Sequence, residues 1–262
     1  MIIGYIGALI VGLTLGVLGG GGSILTVPIL VYLLGINPVV ATAYSLFVVG
    51  TTSLVGAIRN ISKGIVDIKV AVVFSIPAFL AVYLTRRYLV PGIPDEIFIV
   101  GDFVLTKDLG IMLFFALIML AASYSMIKGR KEKDIDELAK LKIPLIILEG
   151  AVVGVLTGIV GAGGGFLIIP ALVLFANLPM KRAVATSLLI IAVKSLIGFL
   201  GDVQNLVIDW NFLLIFTGLS TAGIFIGIYL NRFVNEKFLK KAFGWFVLVM
   251  GIYIIMKELW FN

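Results

Sequence analysis

The sequence predicts an all-α integral membrane protein built as two inverted repeats of about five hydrophobic segments each, with short broken helices following Gly-rich loops. Three observations carry that prediction. Of the 262 residues, 61% are hydrophobic and 13% charged, with a mean hydropathy of +1.21, the composition of a chain solvated by lipid. The apolar runs last roughly 16 to 20 residues, as helices that cross a bilayer do, whereas β-barrel strands would alternate over about ten. The chain also repeats itself at an offset of 142 positions. Gly12, Gly16, Gly19, Gly21, Gly22, Leu25, Pro28, Leu30 and Val31 each meet an identical residue at that distance. The register holds through Ala43, Ser45, Leu46, Ser53, Leu54, Gly56 and Asp67, matched by Ala185, Ser187, Leu188, Ser195, Leu196, Gly198 and Asp209. One sustained offset with Gly, Pro, Ser and Asp among its matches marks an internal duplication.

The first repeat, 1–127, opens with an apolar helix over 2–18. Its small residues Gly4, Gly7, Gly12 and Gly16 suit close helix approach. The loop Gly19-Gly20-Gly21-Gly22 follows, then a helix over 23–34 that is too short to cross about 30 Å of hydrocarbon. Gly35-Ile36-Asn37-Pro38 turns the chain into a full span over 39–58, and a polar loop leads to a span over 68–85. Residues 86–108 have no counterpart in the second half and read as an extra-membrane insertion, with a β-hairpin over 97–106 around Gly101-Asp102. A span over 109–127 closes the repeat. Residues 128–142 form a charged cytoplasmic linker, expected as a short solvated helix. The second repeat, 143–262, runs through a helix over 143–160, the loop Gly161-Ala162-Gly163-Gly164-Gly165, a short helix over 166–177, and spans over 183–200, 212–230 and 242–257.

An odd number of segments per half inverts the halves in the membrane. Basic residues agree. If every segment reverses direction, 14 Lys and Arg fall on the linker side and four (Arg86, Arg87, Lys107 and Lys257) on the other. Four crossings per half would divide the same charges evenly, against the positive-inside rule. Residues 1–18 lack the basic region of a signal peptide. Whether the first two segments of each repeat span or form a re-entrant hairpin stays open, because the parity is the same.

No cysteine and no histidine occur in the chain. That excludes thiol and imidazole catalysis and most zinc, copper or haem ligation, so neither metal nor cofactor is expected. Its basic balance belongs to cytoplasmic loops and not to nucleic-acid binding. The partners expected are the lipid bilayer and a small anion, with a coupling proton as a further candidate.

The two glycine loops are the candidate site. A helix that begins inside the membrane leaves four backbone N–H groups unpaired and concentrates about half a positive charge there. Such an end is tolerated where protein or a wet cavity meets it. Pro28 and Pro170 each remove a donor in the second turn and are read as helix breakers. Two such termini related by a twofold axis would form a midplane anion site from Gly19, Gly20, Gly21, Gly22 and Ser23 with Gly161, Ala162, Gly163, Gly164 and Gly165. The bland reading of glycine, close helix crossing, is preferred for Gly4, Gly7, Gly150 and Gly154.

These paired elements, running from Gly19 to Pro28 and from Gly161 to Pro170, are each followed by an Ala/Thr/Ser-rich stretch (Ala41 to Ser45, Ala183 to Ser187). In that combination the chain resembles the sulfite exporter TauE/SafE family, also called the toluene-sulfonate uptake permeases. The resemblance covers all but the insertion and the linker. It implies a prokaryotic inner-membrane permease for sulfite, sulfonates or related small organic anions, with substrate and direction left open.

Lys194 lies deep in its span, with Thr52 as its repeat mate. A lysine at that depth should face a cavity or a partner, and it is the candidate to attract the anion as the only formal cation deep in any span. Glu149 is its expected partner. That carboxyl is a candidate for proton coupling and equally for a packing pair. Ser45, Thr52 and Ser187 are hydroxyl candidates, together with Thr42, Thr51, Ser53, Thr186 and Ser195, though each also reads as an ordinary interhelical hydroxyl. Asp67 and Asp209 precede helices and read as N-caps. The favoured function is a secondary transporter working by alternating access, and the alternative is an anion channel using the same helix-end site. An intramembrane serine protease is excluded by the missing histidine. A scaffold would need neither the lysine nor the loops.

Overall fold

The computed structural model describes residues 2–100, 103–128, 143–161, 163–165, 167–169, 172, 176, 178–230, 233 and 236–260. Its helices are α1 (Ile2–Leu18), α2 (Ser23–Leu33), α3 (Pro38–Ser62), α4 (Ile68–Gly92), α5 (Lys107–Lys128), α6 (Ile143–Val160), α7 (Met180–Asp202), α8 (Trp210–Leu230) and α9 (Glu236–Trp260). Among the described residues, α3, α4, α6, α7 and α8 are long and apolar enough to cross a membrane. The short helix expected over 166–177 falls largely outside the described residues, as do Ala162, Pro170, the turn at Gly101-Asp102 and the linker from 129 to 142.

Local chemistry explains where the helices begin. Asn37 accepts the N–H groups of Val39 and Val40 at 2.9 and 3.4 Å and so starts α3. Asp67 accepts the Val70 N–H at 3.0 Å ahead of α4, and its repeat mate Asp209 accepts that of Phe212 at 3.1 Å ahead of α8. Both are caps, satisfying donors that a helix start leaves unpaired. The segment from Gly19 to the end of α2 is not one regular helix: a 3-10 turn over Gly19–Leu25 passes through Thr26–Pro28 into a π turn over Ile29–Leu33.

Packing follows the repeat. Gly12 on α1 lies against the Ser220 backbone on α8, and its mate Gly154 on α6 lies against Ala78, the mate of Ser220, on α4. Gly56 meets Leu188 and Ile224, while Gly198 meets their mates Leu46 and Val82. Hydrogen bonds exchange in the same way: the Asp67 N–H donates to Thr186 at 3.0 Å, and the Asp209 N–H donates to Tyr44, the mate of Thr186, at 2.7 Å. Equivalent residues of the two repeats thus exchange contact partners.

Helix directions are fixed by the same pairs. The equivalent helices α3 and α7 run antiparallel, since the Phe47 and Phe199 rings meet at a tilt with centroids 5.0 Å apart while Gly56 meets Leu188. Helices α1 and α8 run parallel, with Gly12 beside Ser220 and Gly16 beside Ile224 and Gly227. Tyr44 beside Phe212 and Gly56 beside Ile224 set α3 parallel to α8 as well. The chain therefore travels the same way in α1 and α3, and the segment between them carries it back.

Helices α3 and α7 form the centre, each 67% buried along its apolar window, against 39% for α4, α6 and α8. On α4, Ile68, Val72, Ile76, Leu80 and Leu84 are exposed at every fourth position, an apolar stripe that only lipid can cover.

One expectation is corrected here. The insertion does not begin at residue 86, because α4 continues through a π turn over Thr85–Leu89 to Gly92. Two antiparallel strands follow, β1 (Glu96–Val100) and β2 (Phe103–Thr106), resting on the start of α5 where Ile97 meets Gly110.

Candidate functional site

The two glycine loops meet at the centre. The position of a Cβ on Gly163 lies 3.2 Å from the Ser23 Cβ, joining the second loop to the first. Gly161 presses on Thr42 of α3, and its mate Gly19 on Val184 of α7, again an exchanged pair. At Gly161 and Gly164, φ is +71° and +68°, a region that costs an L side chain about 1–3 kcal/mol. At both there is no room for a Cβ, against Thr42 and Thr157 respectively. The loops differ in form. The first is a 3-10 turn with one left-handed residue, Gly19, whereas the second has three, Gly161, Gly163 and Gly164. In the second loop the Gly164 carbonyl accepts from Leu167 and Ile168 at 3.0 Å, so a helical turn begins there.

Lys194 reaches this junction. Its side chain is fully buried, and Nζ lies 3.1 Å from the Cβ position of Gly164. Nζ donates to Thr157 Oγ1 at 2.7 Å, and Thr157 passes its own hydrogen to the Gly154 carbonyl at 3.4 Å. An ammonium carries three donors, and this is the one hydrogen bond of Nζ among the described residues. The antiparallel register of α3 and α7 sets Thr52 level with Lys194, its repeat mate. Thr52, Ser53 and Ser195 are buried hydroxyls without a hydrogen-bond partner, as are Ser45 and Thr26. Ser187 instead donates to the Val184 carbonyl of its own helix at 2.8 Å. Pro28 is buried inside α2.

Two expectations about charge are overturned. Glu149 does not pair with Lys194. It sits eight residues before Thr157 on α6, about 12 Å away along the axis, and Arg86–Asp202 is the one ion pair among the described residues. Nor is Lys194 the only deep cation, because Arg86 is fully buried. Arg86 Nη1 stands 3.5 Å from Asp202 Oδ2 and donates to Thr42 Oγ1 at 3.0 Å. Paired with Arg87, it reads in the sequence as a membrane-edge charge. The missed signal was the repeat itself: its mate, Ile228, still lies within the last turn of α8, so the register carries α4 past residue 86.

Long apolar helices enclosing buried cations and hydroxyls define a multi-pass membrane protein. Residues 5–254 match the profile of the family described as Sulfite exporter TauE/SafE, and the chain belongs to that family. A probable membrane transporter protein of Xylella fastidiosa (strain 9a5c) is 32% identical over 255 residues, 95% of this chain and 92% of its own length. YunE of Bacillus subtilis (strain 168), described in the same words, is 27% identical over 276 residues, covering 95% and 92%. A probable membrane transporter protein of Methanocaldococcus jannaschii is 32% identical over 120 residues, 44% of this chain and 45% of its own. The family and these relatives are described as transporters, not enzymes. No solved structure matches the chain.

Proposed function

We propose that the protein is a secondary transporter of small sulfur oxyanions, sulfite or sulfonates, that binds its substrate where the two glycine loops meet Lys194. The carrying observation is the buried ammonium, held among the described residues by Thr157 alone and level with its repeat mate Thr52 and other unpaired hydroxyls. Insertion of a lysine at a helix centre costs about 2.5–3.5 kcal/mol. One hydrogen bond to a charged group returns about 1.5–3 kcal/mol and leaves two donors unmet among the described residues. A small anion supplies both the countercharge and the remaining acceptors.

In this reading the halves are inverted in the membrane, supported by the antiparallel equivalents α3 and α7 and by the charge split. With Arg86 withdrawn to the interior, three basic residues remain opposite the 14. The linker then faces the cytoplasm and the β1–β2 hairpin the outside. Alternating access turns about the axis between α3 and α7. Glu149, partly exposed on α6, is the candidate for the coupling proton.

The test is a thermal-shift screen of purified protein against sulfite, thiosulfate, sulfate, taurine, sulfoacetate and carboxylate analogues, followed by uptake into proteoliposomes. A ligand at a hundred times its Kd stabilises by about 2.7 kcal/mol, a readily measured shift. Saturable uptake of a sulfur oxyanion, with a pH dependence altered in Glu149→Gln, is expected. Stabilisation by carboxylates alone would move the substrate class away from sulfur, and channel-sized currents would replace the transporter by a pore.

A further inference from the structure

We infer that the Nε/Nη2 edge of Arg86 is a second oxyanion-binding site, with Asp202 as the counter-ion that an arriving anion displaces. This rests on the oxyanion reading above and extends it from one station to two. Arg86 is 0% exposed, yet only Nη1 is engaged, by Thr42 and Asp202. Nε and Nη2 have no hydrogen-bond partner, and neither has Asp202 Oδ2. The two idle nitrogens are the side of the guanidinium whose N–H bonds lie parallel, and that side matches two oxygens of a sulfonate, sulfite or carboxylate.

A pair serving only to pin α4 to α7 would be expected to close its hydrogen bonds, because unpaired buried groups cost about 1–3 kcal/mol each. This pair is loose. Its 3.5 Å separation exceeds the roughly 2.7–2.9 Å of a charge-assisted hydrogen bond.

The surroundings repeat the chemistry of the first station. Thr42, which accepts from Arg86, is the residue on which Gly161 presses, and Thr85 touches Gly158 at the end of α6. The Arg86 Cβ lies 2.9 Å from the Cβ position of Gly201. In the α3–α7 register Ser45, with its unpaired hydroxyl, is level with Gly201. Asp202 lies eight residues beyond Lys194 on α7, about 12 Å along the helix, and the two cations rest on different hydroxyls, Arg86 on Thr42 and Lys194 on Thr157. The two cations are therefore stations in series. The Arg86 station lies at the end where α4 and α7 finish, and the bonded pair Arg87 and Gln204 sits over it at the surface. With the edge closed off from solvent, an anion reaches it as α4 and α7 part, and the oxyanion then takes the place of Asp202.

The experiment measures sulfite and ethanesulfonate affinity of the purified full-length protein by calorimetry. Asp202→Asn removes the competitor and should tighten binding at least threefold. Arg86→Lys keeps a charge opposite Asp202, so the fold is guarded, but it loses the two-pronged edge and should weaken binding at least tenfold. The neutral pair Arg86→Gln with Asp202→Asn should weaken it likewise, without leaving a buried charge alone. Wild-type affinity in the neutral pair, or unchanged or weaker binding in Asp202→Asn, overturns the assignment while leaving the Lys194 site standing. If the wild-type protein binds neither probe, the oxyanion reading itself fails, and this inference fails with it.

Discussion

Lys194 poses the sharpest energetic question at the scale of single residues, since one hydroxyl is its only hydrogen-bond partner among the described residues. If the ammonium serves the substrate, removing it should relieve the empty protein and harm the loaded one. Lys194→Met, similar in volume, should leave apo stability unchanged or raised, while sulfite affinity falls at least tenfold, about 1.4 kcal/mol. A structural lysine would give the reverse in the same thermal-shift and calorimetric measurements: lower apo stability and unaltered affinity. Gly164→Ala probes the neighbouring backbone. Left-handed alanine costs about 1–3 kcal/mol, and the new methyl would also crowd Thr157, the residue that holds Lys194. Gly35→Ala is the matched control, with φ +66° and nothing within 4 Å. Strain alone should lower the melting temperature of the control, whereas Gly164→Ala should lower it further and weaken ligand binding. Lys194 was legible because a lone cation stood deep in an unbroken apolar run. Arg86 was not, because adjacent Arg87 made both look like an interfacial pair, and only three-dimensional packing reveals Asp202 and Thr42 beside it.

Among elements, close helix crossings organise the fold, and the sequence exposes them through glycines in register. Gly12 and Gly154 sit directly against carbonyls of the facing helices, those of Ser220 and Ala78. Gly154→Val should force α6 away from α4 and destabilise by about 1–3 kcal/mol through overpacking. Gly218→Val on α8, where nothing lies within 4 Å, should be tolerated. The comparison is read from melting temperature in detergent, and equal losses at both sites would mean that helix propensity and not packing is at stake. Element positions were well legible where hydropathy and caps agreed. Helices over Ile2–Leu18 and Ile143–Val160 have the bounds their apolar runs suggest, and Asp67 and Asp209 cap as their placement implies. The end of α4 was hidden, because a π turn carries the helix past two arginines, and hydropathy reads such charges as a boundary. Likewise, the glycines of the first loop suggested a fresh helix start, but the backbone takes a 3-10 course from Gly19 to Leu25.

For the whole molecule, the exchanged hydrogen bonds offer a way to test movement about the axis. Tyr44 accepts from Asp209 near the starts of α3 and α8, and Thr186 accepts from Asp67 near the starts of α7 and α4. Because α3 and α7 are antiparallel, these two bonds close opposite ends of the helical body. Tyr44→Phe keeps the ring stacked on Phe212 and deletes one bond, and Thr186→Val deletes the other at constant shape. A hydrogen bond contributes about 0.5–1.5 kcal/mol net, which shifts a two-state balance roughly two- to twelvefold. A reporter cysteine placed at the buried Ser195 beside Lys194, in a chain that has no other cysteine, measures the balance through its reaction with a membrane-impermeant thiol reagent added outside cells. The Tyr44 bond lies at the end shared with Asp202 and the hairpin, the end proposed to face outward. Its loss should therefore favour the outward-open state and speed labelling, while loss of the Thr186 bond should slow it. Opposite effects are the mark of two ends that open in alternation, and their order gives the orientation, since reversed signs would turn the molecule over in the membrane. If both substitutions change the rate in the same direction, the two ends do not alternate, and the protein opens as a pore along one path.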